Sequence, residues 1–508
     1  MTRTRTAPSG PSTSLLAGSF WMVAMRWAVR GIGLLSTLVL ARLLTPEDFG
    51  VVAMALIVVG LFEVMGWAGV DLAVIRQPDA GPAFYDTAWT IQILQGGVLA
   101  LGLVVAAPLV AGLFGDPRVE AVVRVLAIKP LLDGLENIGV VAFRRELRFA
   151  TEFRFLVVKK LLSFAAVIGA AVVLRDYRAL VIGLLAGAAM GTVLSYLMHP
   201  YRPRLSLRER STIWSFSQWL LVSRIGLFLN RKTDQAVVGS LAGPAVMGSY
   251  YMGFELGTFA TSEVVMPVRR ALFPNLTRLL DRPDALAGAF VAALGAIAAL
   301  CFPLGAGMAA VADDFVAVVL GPQWTSAVPV IRVLALFGVL AALSATGEIL
   351  LMAMGHARLS ALAAWLELAA LVPTLLWAAA HWGAEGAAIA RTGVALAFLP
   401  FMLYLVASRC LVSVGRQLAA LWRPAAAAAA MFAAVTVIDV ASFGPAVGLA
   451  LDVASGAAVY SVVLLGLWHL AGRPSGPEAV IADYARKPGR HWRENRAARR
   501  DGASGRRR

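Results

Sequence analysis

The sequence predicts an all-α polytopic membrane protein, and three observations predict it. Apolar runs of about twenty residues, the length a helix needs to cross a hydrocarbon core, recur along nearly the whole chain. Of its 508 residues 59% are hydrophobic and only 15% charged, with mean hydropathy +0.76, too apolar for the surface of a soluble protein of this size. The Lys and Arg residues outside those runs gather in alternate loops, as they do where only one side faces the cytoplasm.

Fourteen spans follow in order, near 19–43, 49–75, 84–113, 119–141, 153–174, 179–198, 213–239, 246–268, 286–311, 327–353, 359–381, 384–406, 424–442 and 447–470. The first follows a basic, Ser/Thr-rich segment, 1–18, and its apolar run extends to Leu44, too long for a signal-peptide core, so it is read as a retained span. Alternate loops hold seventeen Lys and Arg residues, among them Arg144, Arg145, Arg148, Arg202, Arg204, Arg269 and Arg270, against four on the other side: Arg42, Arg118, Arg175 and Arg178. The richer set is expected to be cytoplasmic, with both termini inside.

The polar break "HPYRPRLSLRERS" places a linker at 199–212 between an N-lobe at 19–198 and a C-lobe at 213–406. Residues 407–471 hold an accessory helix pair. Residues 472–508 form a basic tail with eleven Lys and Arg, expected to be disordered and to lie on anionic membrane lipid. The formal charge of +15 does not point to nucleic acid, because no soluble module is present to read one. Cys301 and Cys410 fall on apolar segments expected to lie far apart, and the five His residues have no ligand-like spacing, so neither a disulfide framework nor a metal site is predicted.

An offset of 198 residues superimposes Ser19, Trp21 and Arg26 on Ser217, Trp219 and Arg224, and Leu43, Pro46, Gly50 and Met54 on Leu241, Pro244, Gly248 and Met252. Apolar identities arise by composition, but Arg, Trp and a Pro–Gly pair in one register do not. Six spans separate the copies, so the repeat is parallel, and transport folds built this way hold their substrate between the halves. The stretch "ARLLTPEDFGVVAM" (41–54) is then a periplasmic hairpin whose echo, "GSLAGPAVMGSYYM" (239–252), keeps Pro and Gly but drops both acids. The shared feature is the turn.

Ionisable residues inside spans are costly and mark interior cavities. Arg26 and Arg30 lie four apart, on one face of the first span. The seventh span carries Arg224, Asn230, Arg231 and Asp234, with Arg231 and Asp234 also spaced for a helical ion pair. Among the acids, Glu63, Glu255 and Glu348 lie deep, while Asp71, Asp133 and Glu263 lie nearer span ends. Lys159, Lys160, Arg332 and Arg391 either add cations or neutralise these acids. Gly183, Gly187 and Gly191 mark close helix packing. Clustered guanidinium groups suit an anionic substrate, because they make paired, charge-assisted bonds to phosphate oxygens.

With these residues in view the chain resembles the bacterial oligosaccharide (lipopolysaccharide/exopolysaccharide) flippases of the multidrug/oligosaccharidyl-lipid/polysaccharide exporter superfamily. The resemblance rests on "ARLLTPEDFGVVAM", "FRRELRF" (143–149), "NRKTDQAVVGSLAGPAVMGSYYMG" (230–253) and "RRALFPNLTRL" (269–279), in the family's order. It implies translocation of an undecaprenyl-diphosphate-linked sugar repeat unit across the inner membrane by alternating access of two six-helix lobes. It also implies proton or sodium coupling, no other cofactor, and a polymerase and other assembly proteins as neighbours. Asn230 and Asp234 match the family's seventh-span motif. Helix position adds Arg26, Arg30, Arg224 and Arg231 as substrate-binding residues, with Asp234, Glu63 and Glu255 as coupling sites. The extra C-terminal pair departs from the family's twelve-span minimum. Two other readings are a multidrug or metabolite exporter of the same superfamily and a membrane enzyme of polysaccharide assembly. The second fits poorly, since no large loop and no Asp-x-Asp occurs.

Overall fold

The computed structural model describes residues 11–66, 74, 81–209, 218–410, 412–437 and 444–474, with the backbone alone at 11–20 and 218–224. The first ten residues, Asp71 and the basic tail from 475 onward lie outside the described residues. Every regular element described is helical. Ten helices among the described residues are long and apolar enough to cross a membrane.

In chain order the elements are α1 (Pro11–Leu43), α2 (Pro46–Gly66), α3 (Pro82–Phe114), α4 (Pro117–Leu126), α5 (Ile128–Gly134), α6 (Val141–Arg145), α7 (Phe149–Leu174) and α8 (Arg178–Met198). Then come α9 (Gln218–Thr277), α10 (Pro283–Ala310), α11 (Ala312–Phe315), α12 (Val328–Ala353), α13 (Ala357–Cys410), α14 (Val414–Val437) and α15 (Pro445–Leu470). Two of them are pairs of helices run together. α9 breaks at Gly243 (φ 79°, ψ 175°), a left-handed position that an L side chain resists, with Pro244 immediately after. α13 breaks at Trp382 and Gly383, between the runs read as the eleventh and twelfth spans.

The fourth predicted span is not one helix. It is divided into α4, α5, a 3-10 turn at Ile138–Val140 and α6. Backbone-to-backbone packing on α3 accounts for this: Gly96 sits against the Pro130 carbonyl and Gly134 against that of Gln92, both too close for a Cβ. Pro130 also lacks the N–H that a continuous helix would use. Asn137, fully buried, holds the turn by accepting the Gly139 N–H at 2.9 Å.

Contacts divide the chain into two compact units. The first comprises 1–252, 319–327 and 372–387, and the second 253–318, 328–371 and 388–508. In the first, α7 pairs with α8 and α1, while α3 packs on α2, α4 and α5. The α7–α8 pair uses the predicted glycine stripe, for Ser163 Oγ donates to the Gly183 carbonyl at 2.9 Å and Val167 fills the space beside Gly183. The linker is strapped along α3: the Tyr201 hydroxyl and the Arg204 N–H donate to Asp86 Oδ1 at 2.7 and 2.8 Å, and the Ser206 N–H donates to Thr90 Oγ1 at 2.9 Å.

In the second unit α10 is the centre, packed by α12 and α14, with α15 on α14. Phe290, Leu294, Ile297, Leu350 and Val406 make its core. The accessory pair is joined to this core by a buried bond from the Tyr460 hydroxyl to the Ala299 carbonyl at 2.7 Å. Cys301 and Cys410, expected far apart, belong to one buried cluster as free thiols, because α13 returns to α10 after its break.

Candidate functional site

The α1 face predicted from spacing is present. Arg26 and Arg30 are one turn apart and half-buried. α1 packs along α7, where Lys160 brings its Cε to 3.8 Å from the space above Gly33 and lies within electrostatic reach of Arg30. The adjacent Lys159 points elsewhere and donates to Glu136 at 3.0 Å. Consecutive helical residues lie about 100° apart, so the helix sends one lysine to an acid and the other to an arginine.

The acids of this unit are engaged locally. Lys129 donates to Glu63 at 2.7 Å and to Asp133 at 2.8 Å, one ammonium between two carboxylates. Arg144 donates to the buried Glu152 at 2.6 Å. Beside these pairs lies a cavity of about 280 Å³, lined by Gln92, Asp133, Glu136, Asn137, Arg144 and Glu152 among others. Glu63, singled out for its depth, is thus half of an ion pair, and Asp133 belongs to the same group.

On α9 the predicted residues separate. Asp234 is wholly buried and accepts the Tyr250 hydroxyl at 2.9 Å across the hairpin, while Arg231 is exposed. Gln235 beside it is also buried and accepts Lys232 at 2.8 Å. Asn230 is half-buried. The Arg224 side chain lies outside the described residues. Glu255 is half-buried and belongs to the second unit, whereas Asp234 belongs to the first. So the structure brings Lys160 toward Arg30, with Arg26 one turn further along α1, and ties Glu63 and Asp234 to other partners.

The hairpin between α1 and α2 shows what its acids do. Thr45 caps α2, with the Thr45 N–H and hydroxyl donating to Asp48 Oδ2 at 2.9 and 2.6 Å, a capping box. Asp48 also receives the Tyr177 N–H at 2.9 Å, and Glu47 receives Arg118 at 2.6 Å. Arg118 bonds Asp116 as well, holding that carboxyl below the usual range, and the two acids raise Arg118 in turn. Trp324 Nε1 and Gln323 Nε2 both donate to the Ala41 carbonyl at 2.7 Å, and the Trp324 ring meets Phe49 edge-on at 5.2 Å.

Here the turns at Pro46–Gly50 and Pro244–Gly248 meet. A Cβ on Gly50 would lie 1.8 Å from the Pro244 carbonyl oxygen, and one on Gly248 would lie 1.7 Å from that of Pro46. The four residues are the ones the 198-residue offset superimposes. Sequence reading marked them as turn residues and missed that they touch; that each Gly lies four residues after a Pro, in both copies, was the available signal. Among the described residues no group of three His, Cys, Asp or Glu side chains could hold a metal ion.

The sequence profile of the family described as "Polysaccharide biosynthesis protein" matches residues 39–329. The lipopolysaccharide biosynthesis protein WzxC of Escherichia coli (strain K12) is 22% identical over 329 residues, 64% of this chain and 67% of that one. The succinoglycan biosynthesis transport protein ExoT of Rhizobium meliloti (strain 1021) is 27% identical, covering 62% of this chain and 64% of its own. The teichuronic acid biosynthesis protein TuaB of Bacillus subtilis (strain 168) is 26% identical, covering 58% and 61%. The chain thus spans about three fifths to two thirds of the length of these relatives. In structure it is similar to the lipid II flippase MurJ in an inward closed conformation, with TM-score 0.71, 12% identity, and 89% of this chain and all of that one covered. It is also similar to an inward-facing multidrug resistance transporter of the MATE family, with TM-score 0.56, 14% identity, and coverage of 74% and 94%. These two likenesses concern the fold.

Proposed function

We propose, from the premise that this chain belongs to the polysaccharide biosynthesis protein family, that it is a flippase for a lipid-linked oligosaccharide. The substrate in this reading is an undecaprenyl-diphosphate-linked sugar repeat unit, carried across the bacterial inner membrane with both termini cytoplasmic. The observation that carries it is the approach of Lys160 to the Arg26–Arg30 face, a concentration of positive charge within apolar helices. Cations on adjoining apolar helices attract an anion more strongly than they would in water. A diphosphate supplies two adjacent charges and several acceptors, matched to guanidinium and ammonium donors.

Arg30 and Lys160 hold the diphosphate, Arg26 extends the face, and Arg224, Arg231 and Asn230 engage the same headgroup from α9 as the lobes alternate. The polyprenyl chain stays in lipid. For coupling to protons or sodium, Asp234 is the better candidate, since Tyr250 already orients it, with Glu255 as a second; Glu63 is neutralised by Lys129. A polymerase and other assembly proteins receive the product.

The test is charge reversal, Arg30→Glu and Lys160→Glu, at matched membrane abundance. Loss of surface polysaccharide with accumulation of the lipid-linked intermediate is expected from each. Unchanged polymer would remove the α1–α7 face from the mechanism. Altered tolerance to cationic drugs with unchanged polymer would favour the exporter reading instead.

A further inference from the structure

The cavity of the first unit takes no part in the function proposed above. Its walls come from separate elements: Gln92 from α3, Asp133 from α5, Glu136 from the loop after it, Arg144 from α6, and Glu152 and Phe155 from α7. At about 280 Å³ it lies at the small end of ligand pockets, which run from about 300 to 1,000 Å³. That is room for one ring-sized group, not for an oligosaccharide.

The chemistry of the walls narrows what fits. Three carboxylates face the cavity, and each has a cation of its own: Lys129 on Asp133 at 2.8 Å, Lys159 on Glu136 at 3.0 Å and Arg144 on Glu152 at 2.6 Å. A phosphate would meet three acids there. A metal ion would need them to converge, and among the described residues no three ligating side chains do. Each of these bonds uses one oxygen of its carboxylate, which can accept more, and one of the five N–H groups that Arg144 carries. Gln92 adds a buried side-chain oxygen that has no hydrogen-bond partner. The walls thus combine acceptors and donors with their charge already matched, over the buried ring of Phe155. Neighbouring hydroxyl groups, each both donor and acceptor, are the complement of such a surface.

We infer that this cavity is a binding site for a single sugar ring, the one joined directly to the diphosphate; the inference rests on the flippase reading. Placement supports it. Leu156, also on the wall, lies four residues before Lys160 on α7, about 6 Å along the axis. A diphosphate at Lys160 therefore has its first sugar within reach of the cavity. Arg144 belongs to the loops read as cytoplasmic, the side from which that sugar is delivered.

The test compares affinities in full-length protein in lipid nanodiscs. The probes are bare undecaprenyl diphosphate and the same lipid carrying one glucose, galactose or N-acetylglucosamine. At least one glycosylated lipid is expected to bind about tenfold tighter than the bare one. Gln92→Ala should lower that ratio about three- to tenfold, the share of one hydrogen bond. Asp133→Asn should lower it as well, at a half-buried position where Lys129 keeps Glu63. Equal binding of all four lipids would overturn the sugar site and leave the flippase reading standing. A preference that neither substitution alters would overturn it too, by placing the sugar elsewhere. Failure of every lipid to bind would overturn both.

Discussion

Gly50 and Gly248 lie face to face through their backbones: each Cα stands against the carbonyl of the proline four residues before the other, and each amide nitrogen is 3.0 Å from where the other's Cβ would be. The relationship is reciprocal. Alanine at either position has nowhere to place its methyl group, because the obstacle is backbone and not the end of a flexible side chain. Gly50→Ala and Gly248→Ala are each expected to cost roughly 1–3 kcal/mol of stability, in the range of overpacking. The double variant should cost clearly less than the sum, since both methyl groups force apart the same contact. Thermal melting of the full-length protein in detergent measures this, and wild-type melting of either variant would deny the contact.

Trp324 fills a fully buried place against Phe49 and shares the Ala41 carbonyl with Gln323. Trp324→Phe keeps most of the ring and leaves Gln323 on the carbonyl, so a loss of about 1 kcal/mol is expected. Trp324→Ala empties the place and should cost roughly 3–5 kcal/mol. Equal melting of the two variants would mean that ring packing contributes nothing there.

Asp86 holds the linker by accepting both the Tyr201 hydroxyl and the Arg204 N–H on one oxygen. Asp86→Ala removes both bonds to a charged acceptor, each worth about 1.5–3 kcal/mol. Trypsin should then cleave after Arg204 at least roughly tenfold faster than in the wild type, the Arg202–Pro203 bond being resistant in both. Resistance equal to the wild type would show that Thr87 and Thr90 suffice to strap the linker.

His199 gives the same strap a pH dependence. Burial pushes its imidazole below the ordinary value of 6.5, and its Nδ1 accepts the Tyr201 N–H at 3.2 Å, which only a neutral ring can do. The folded chain therefore binds fewer protons here than the unfolded chain. The stabilisation is complete above about pH 6.5 and is lost as pH falls from there through the folded value. Melting temperature should drop between pH 7.5 and 5.5, and His199→Gln should flatten that part of the profile. An unchanged slope in the variant would assign the dependence to another group.

The fold class was legible in the residues because hydropathy over a window and loop charge are local properties. The turn at Pro46 and Gly50 was legible for the same reason, and so were the α1 arginines, since four-residue spacing fixes a helical face. The break of the fourth span at Pro130 and Gly134 was not, because neither residue forbids a helix until α3 is seen to press on both. Nor was the identity of Glu63 as an ion pair, since Lys129 lies 66 positions away.

By itself, then, the sequence determined that this chain crosses the membrane many times, where it turns, and that its cations stand on particular helical faces. Composition and spacing constrain those features before any two helices touch. The tertiary structure alone decided partners: Lys160 beside Arg30 while Lys159 goes to Glu136, Tyr250 on Asp234 while Arg231 stays exposed, Gly50 against Gly248. The physical reason is rotation. A turn of about 100° per residue makes each neighbour depend on how helices are set about their own axes, and only packing fixes that angle.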